Sequence, residues 1–138
     1  MANTIYNIQY ANIRDNILFN DDYNPQKYIG GSRRFDKVPV SALIIMAEAQ
    51  LLNSNEKQNL MPSIKEIIEF CEQHHISDWY ASGYAISYDR PDCRVSIDSV
   101  GSYVPVSEKI MKKFKKFFKE ADELYADDIE EEVYCWFD

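Results

Sequence analysis

The sequence predicts an α+β domain: a small, mostly antiparallel sheet (central hairpin plus terminal strands) packed on one face by about three helices. Three observations carry that prediction. Residues 83–98, GYAISYDRPDCRVSID, alternate apolar and polar side chains on both sides of a proline turn. Three segments repeat apolar residues at the helical period, each behind a serine placed to cap it. Residues 133–137, VYCWF, are apolar on both faces of an extended chain, the pattern of a strand with no wet side.

Each element follows from local chemistry. Residues 4–10, TIYNIQY, set Tyr6, Ile8 and Tyr10 against Asn7 and Gln9, a period of two that predicts a short strand. From Asn12 to Lys37 the chain is turn-rich, with Asn20-Asp21-Asp22, Asn24-Pro25 and Gly30-Gly31. A long connection is expected there, holding one short helical or strand element around Ile13–Phe19. The first strong helix runs from Ser41 to Leu52. Ser41 suits its N-cap, and apolar residues nearly encircle the cylinder, so the helix is expected to be central and buried. The second runs from Ser63 to His75 and opens on a capping box, in which Ser63 and Glu66 satisfy two orphan amides reciprocally. Its inward stripe is Ile64, Ile67, Ile68 and Cys71.

In the hairpin, setting Tyr88 opposite Cys93 puts Ile86 against Val95 and Tyr84 against Ile97 on one apolar face. Ser87 and Arg94, Ala85 and Ser96, and Gly83 and Asp98 then share a polar one. The third helix is expected over Ser107–Tyr125. Ile110, Phe114, Phe117, Phe118, Ala121 and Leu124 follow the helical period, and Lys109, Lys112, Lys113, Lys115, Lys116 and Lys119 take the remaining circumference. The final strand turns Val133, Cys135 and Phe137 to one side and Tyr134 and Trp136 to the other. Left in water, its large apolar side chains would each forgo about 1.5–3 kcal/mol. It therefore docks, on this chain's own sheet or by addition to a partner's.

At 138 residues the chain is one ordinary domain, 1–138, able to bury roughly two-thirds of its unfolded surface. The longest apolar run, residues 42–47, falls far short of the ~18 residues of a membrane span, and no signal-like basic and apolar start is present. Three cysteines, Cys71, Cys93 and Cys135, form an odd set that favours reduced thiols and a cytoplasmic location.

Charge is more informative. The net charge is −8, and residues 1–121 are balanced, with fifteen basic and fifteen acidic side chains. The whole imbalance lies in an acidic C-terminal segment, 122–138. Asp127, Asp128, Glu130, Glu131 and Glu132 therefore propose themselves as a surface for a basic protein partner, with Tyr134 and Trp136 as anchors, since Tyr and Trp favour interfaces. An extended chain would set Asp128, Glu130 and Glu132 in a row at about 6.6 Å spacing, a spacing suited to plugging a basic pocket. The bland alternatives are a solvated loop and a fold-back onto the lysine helix. A second functional reading is nucleic-acid binding through Arg33, Arg34, Lys112, Lys113, Lys116 and Lys119, set against the use of lysines simply to keep a helix face soluble.

Cys71, His74 and His75 have part of a zinc set, but imidazoles in a helix's last turn also suit its negative end without metal. No P-loop, dinucleotide fingerprint, G-x-S-x-G or H-E-x-x-H is present, and Asp89 and Asp92 are explained by their turn. The sequence thus points to no catalytic residue, metal or cofactor. It suggests a non-enzymatic binding or inhibitor protein, of the kind that phage and mobile elements direct at a host nuclease or defence complex.

Overall fold

The computed structural model describes residues 8–57 and 60–138. Four helices, α1 (Ile8–Phe19), α2 (Val40–Glu48), α3 (Ile64–Gln73) and α4 (Glu108–Phe117), accompany five strands, β1 (Ser32–Pro39), β2 (Trp79–Ile86), β3 (Val95–Ser102), β4 (Glu123–Tyr125) and β5 (Tyr134–Trp136). The strands form one antiparallel sheet in the order β1-β2-β3-β5-β4. The helices pack on a single face. Phe35, Val38, Trp79, Ala81, Ala85, Val95, Ile97, Val100 and Cys135 are buried there with Leu43, Met46, Ile67, Phe70, Phe114 and Phe118. No helix among the described residues is long and apolar enough to cross a membrane.

Local signals are realised where local chemistry suffices. Ser63 Oγ accepts from Glu66 N at 3.2 Å while Glu66 Oε1 accepts from Ser63 N at 2.9 Å, so the capping box forms in full. That engagement holds the Glu66 carboxyl below its ordinary value. Ser107 caps α4 by accepting from Ile110 N at 3.2 Å. The terminal strand docks on its own sheet, between β3 and β4, with Val133, Cys135 and Phe137 buried.

Elsewhere tertiary structure overrides the pattern. The expected opening strand is replaced over Ile8–Tyr10 by the start of α1, and its residues Thr4–Asn7 lie outside the described residues. The buried stripe of α1 is Ala11, Arg14, Asp15 and Leu18, at helical spacing but half ionic, so no amphipathic signal marks it. The supposed long connection also contains β1, whose alternation is broken by a bulge between Phe35 and Val38 with Lys37 at φ 53°.

Helix α2 starts directly after β1 at Val40, with Pro39 rather than Ser41 at the N-cap position and no side chain capping it. It stops at Glu48 because Leu51 N reaches Met46 O (2.8 Å) and Gln50 N reaches Ala47 O (3.1 Å). This paired closure demands a left-handed residue, here Gln50 at φ 59°. The helix is not central: Ile45 is 57% exposed. Helix α4 ends at Phe117, and residues expected to prolong it form β4, which satisfies the outer edge of β5.

The hairpin register differs as well. Gly83 faces Ile97, Tyr84 faces Ser96 and Ala85 faces Val95, one residue off the expected pairing. The expected offset returns beyond a bulge, where Ser82 faces Ser99, and Asp98 is the extra residue. The slip turns Tyr84 away from the core and places small Ala81 and Ala85 beneath the helices, where bulky side chains would hold the layers apart.

Candidate partner-binding surface

The other sheet face carries no helix among the described residues, and the bulge shapes it. A bulge of this kind aims two successive side chains to one side, so Asp98 and Ser99 both face outward. Asp98 Oδ2 accepts from Arg34 Nη1 at 2.7 Å, and the Arg34 guanidinium lies 5.1 Å from the Tyr84 ring centroid. Asp98 Oδ1 is buried and has no hydrogen-bond partner among the described residues. Tyr80 lies flat over Gly101, where a Cβ would strike its ring, and packs 5.2 Å from Tyr103. Tyr134 and Trp136 are half-buried on the same face, and Tyr125 stacks on Tyr134 at 6.0 Å.

Carboxylates border this face, and Lys37 Nζ lies 5.4 Å from the Tyr80 ring centroid. Burial pushes the Tyr80 hydroxyl up to about 12, and Tyr134, Asp36 and Glu132 act in the same sense. Tyr134 is raised first by burial, and Glu123 and Asp98 add to it. A phenol among carboxylates resists ionising because a second negative charge there is unfavourable.

The acidic segment forms the β4–β5 connection beside this face. The expected extended row of Asp128, Glu130 and Glu132 is not present: Asp128 Oδ1 accepts from Glu130 N at 2.9 Å and Asp128 O from Glu131 N at 3.1 Å, which folds the segment into a turn. Short polar side chains that capture a backbone amide two residues on favour turns over strands. Lys115 Nζ meets Asp127 Oδ1 at 2.6 Å. Asp128, Glu130, Glu131 and Glu132 are exposed and have no cationic partner among the described residues.

The alternative nucleic-acid set is not brought together. Arg33 and Arg34 leave opposite faces of β1. Arg33 pairs with Asp21 at 3.2 Å over the Phe19 ring, and Arg34 pairs with Asp98. They sit opposite Ala85 and Tyr84, whereas α4 stacks its Phe114 on Trp79 at the other end of β2, about 20 Å away at ~3.3 Å per residue. Lys112 pairs with Glu108 at 3.7 Å, and Lys113, Lys116 and Lys119 are exposed.

Cys71 is buried in the core, its thiol pushed up by burial, and Cys135 is raised to about 12 for the same reason. His74 and His75 lie at the surface end of α3, and no group of three His, Cys, Asp or Glu among the described residues is arranged to hold a metal.

Sequence reasoning pointed to the aromatics of residues 78–84, which include Tyr80 and Tyr84, and missed Asp98, Ser99 and Tyr103 as surface-forming residues. One signal was available, Gly83 within a strand, since glycine there marks a bulge or a close backbone approach. A Cβ on Gly83 would strike the Ser96 carbonyl oxygen.

Fold and surface together define a small α+β protein with a half-covered antiparallel sheet and an acidic rim. The chain matches no family model, no curated protein and no solved structure.

Proposed function

We propose that this is a non-enzymatic binding protein that uses the uncovered sheet face and its acidic β4–β5 rim to engage a basic site on a protein partner. The observation that carries this reading is the state of the acidic rim. The lysine helix comes close enough to pair with Asp127, yet Asp128, Glu130, Glu131 and Glu132 keep their charge in solvent. Charge left uncompensated beside an aromatic face steers a basic partner and gives its docking a register. Tyr134 and Trp136 supply apolar anchor area, and Asp36 and Glu123 add carboxylates at the sheet, whereas Asp98 is offset by Arg34. A groove that holds nucleic acid, as in a nuclease or a defence complex, has the matching charge, and an inhibitor acting there would compete with phosphate.

An arginine-rich peptide, titrated with Trp136 fluorescence as the readout, tests the rim. Trp79 is wholly buried and is expected to stay silent. Replacing Glu130, Glu131 and Glu132 by lysine is expected to weaken binding by at least about tenfold and to flatten its dependence on salt. Unchanged affinity and salt slope refute the reading, as would a shift of bare duplex DNA by the wild-type protein at low salt.

A further inference from the structure

Helix α4 carries five lysines, and the fold sorts them. Lys112 reaches Glu108 and Lys115 reaches Asp127. Lys109, Lys113 and Lys116, at i, i+4 and i+7, have no carboxylate partner among the described residues and line one cleft. That cleft runs along α4 beside the end of α3. A hollow of about 300 Å³, bounded by Gln73, His74, His75, Lys109 and Lys113, continues past His74 into one of about 480 Å³. The second is walled by Lys113, Lys116 and the Phe70–Phe117 stack, whose centroids are 4.8 Å apart.

We infer that this cleft binds a small phosphate-bearing ligand of the nucleotide class, with Lys109, Lys113 and Lys116 as its phosphate contacts. Three ammonium groups on one stripe extend over about 10 Å of helix axis, a span that suits two or three linked phosphates better than a single one. Ammonium–phosphate hydrogen bonds between charged partners are short and strong. The half-buried Phe117 edge offers an apolar wall for a planar ring. The position of His74 supports the assignment. Its imidazole is held below its ordinary pKa by burial first, then by Lys113, His75 and Lys109, so each charge acting on it is positive. A long nucleic acid fits less well, because Arg33 and Arg34 are paired and distant, and Lys115 ties the acidic segment to the same helix. The inference is independent of the acidic-rim reading, which concerns another face.

The test is a calorimetric titration of the whole chain with ATP, with pyrophosphate and with a short oligothymidylate, accompanied by NMR of the His74 ring. ATP and pyrophosphate are expected to bind and to move the His74 resonances. Lys113→Glu is expected to weaken ATP binding by at least about tenfold, and Lys112→Glu, the same charge change on the same helix, by less than about twofold. Far-UV circular dichroism checks that both variants keep the fold. Equal loss in the two variants overturns the inference, because it marks diffuse electrostatics. So do the absence of ATP binding at about 1 mM, and binding of the oligonucleotide without ATP or pyrophosphate.

Discussion

Arg14 and Asp15 show how much a single pair of residues can decide. Both are buried, and Arg14 spends its donors on Asp15 at 2.9 Å, on the Ile86 carbonyl at 2.8 Å and on the Tyr28 hydroxyl at 2.6 Å. Its guanidinium also lies 4.1 Å from the Tyr88 ring centroid. Tyr28 donates in turn to Asp15 Oδ2 at 2.6 Å. Removing one partner of a buried pair strands the other charge, so Arg14→Met is expected to cost about 3–5 kcal/mol in urea unfolding. Arg14→Met combined with Asp15→Leu should recover much of that loss. In the sequence this cluster is invisible, because Tyr28 and Ile86 are remote and an ionic pair inside a helix reads as solvent-facing. The Ser63–Glu66 box was legible because both partners lie within one turn.

Among the elements, legibility followed the range of the deciding interaction. Helices α3 and α4 announce their starts through serine caps, and β5 announces itself through a doubly apolar run that only an interior strand needs. The end of α4 was not legible, because residues 123–125 satisfy the helical period yet are claimed by the edge of β5. The hairpin register was missed because alternation alone does not reveal an inserted residue. That insertion builds the candidate surface: it turns Asp98 outward beside Arg34, and it depends on Gly83 admitting the Ser96 carbonyl. Gly83→Ala is accordingly expected to destabilise the protein by about 1–3 kcal/mol through overpacking, measured by thermal unfolding. It should also loosen the Arg34–Asp98 pair, visible as a change at the Arg34 side-chain NMR signal. Full stability in this variant would show that the strand accommodates a Cβ.

For the molecule as a whole, the arrangement separates functions by face. The helices take the apolar side of the sheet, Tyr80, Tyr84, Tyr134 and the acidic rim take the other, and the unpaired lysines gather along α4 beside the end of α3. The buried tyrosines couple this arrangement to pH. Burial raises both Tyr80 and Tyr88 from 10.0 to about 12, and raises Tyr28 further still. A phenol whose folded pKa lies above its unfolded one contributes stability that is present below pH 10 and lost as the pH rises toward 12. Absorbance titration should therefore show these rings ionising late and together with unfolding. Smooth ionisation of all ten tyrosines near pH 10 would contradict the packing.

By itself the sequence determined the fold class, the caps of two helices, the docking of the terminal strand and the confinement of surplus negative charge to residues 122–138. Each of these rests on composition or on interactions within one turn or one strand, where local chemistry is decisive. Tertiary structure alone decided which carboxylates kept their charge, which lysines went unpaired, where the arginines point and which hairpin face lies inward. Those outcomes depend on groups far apart in the chain meeting in a densely packed interior, where one bulge or one buried ion pair re-aims every side chain around it.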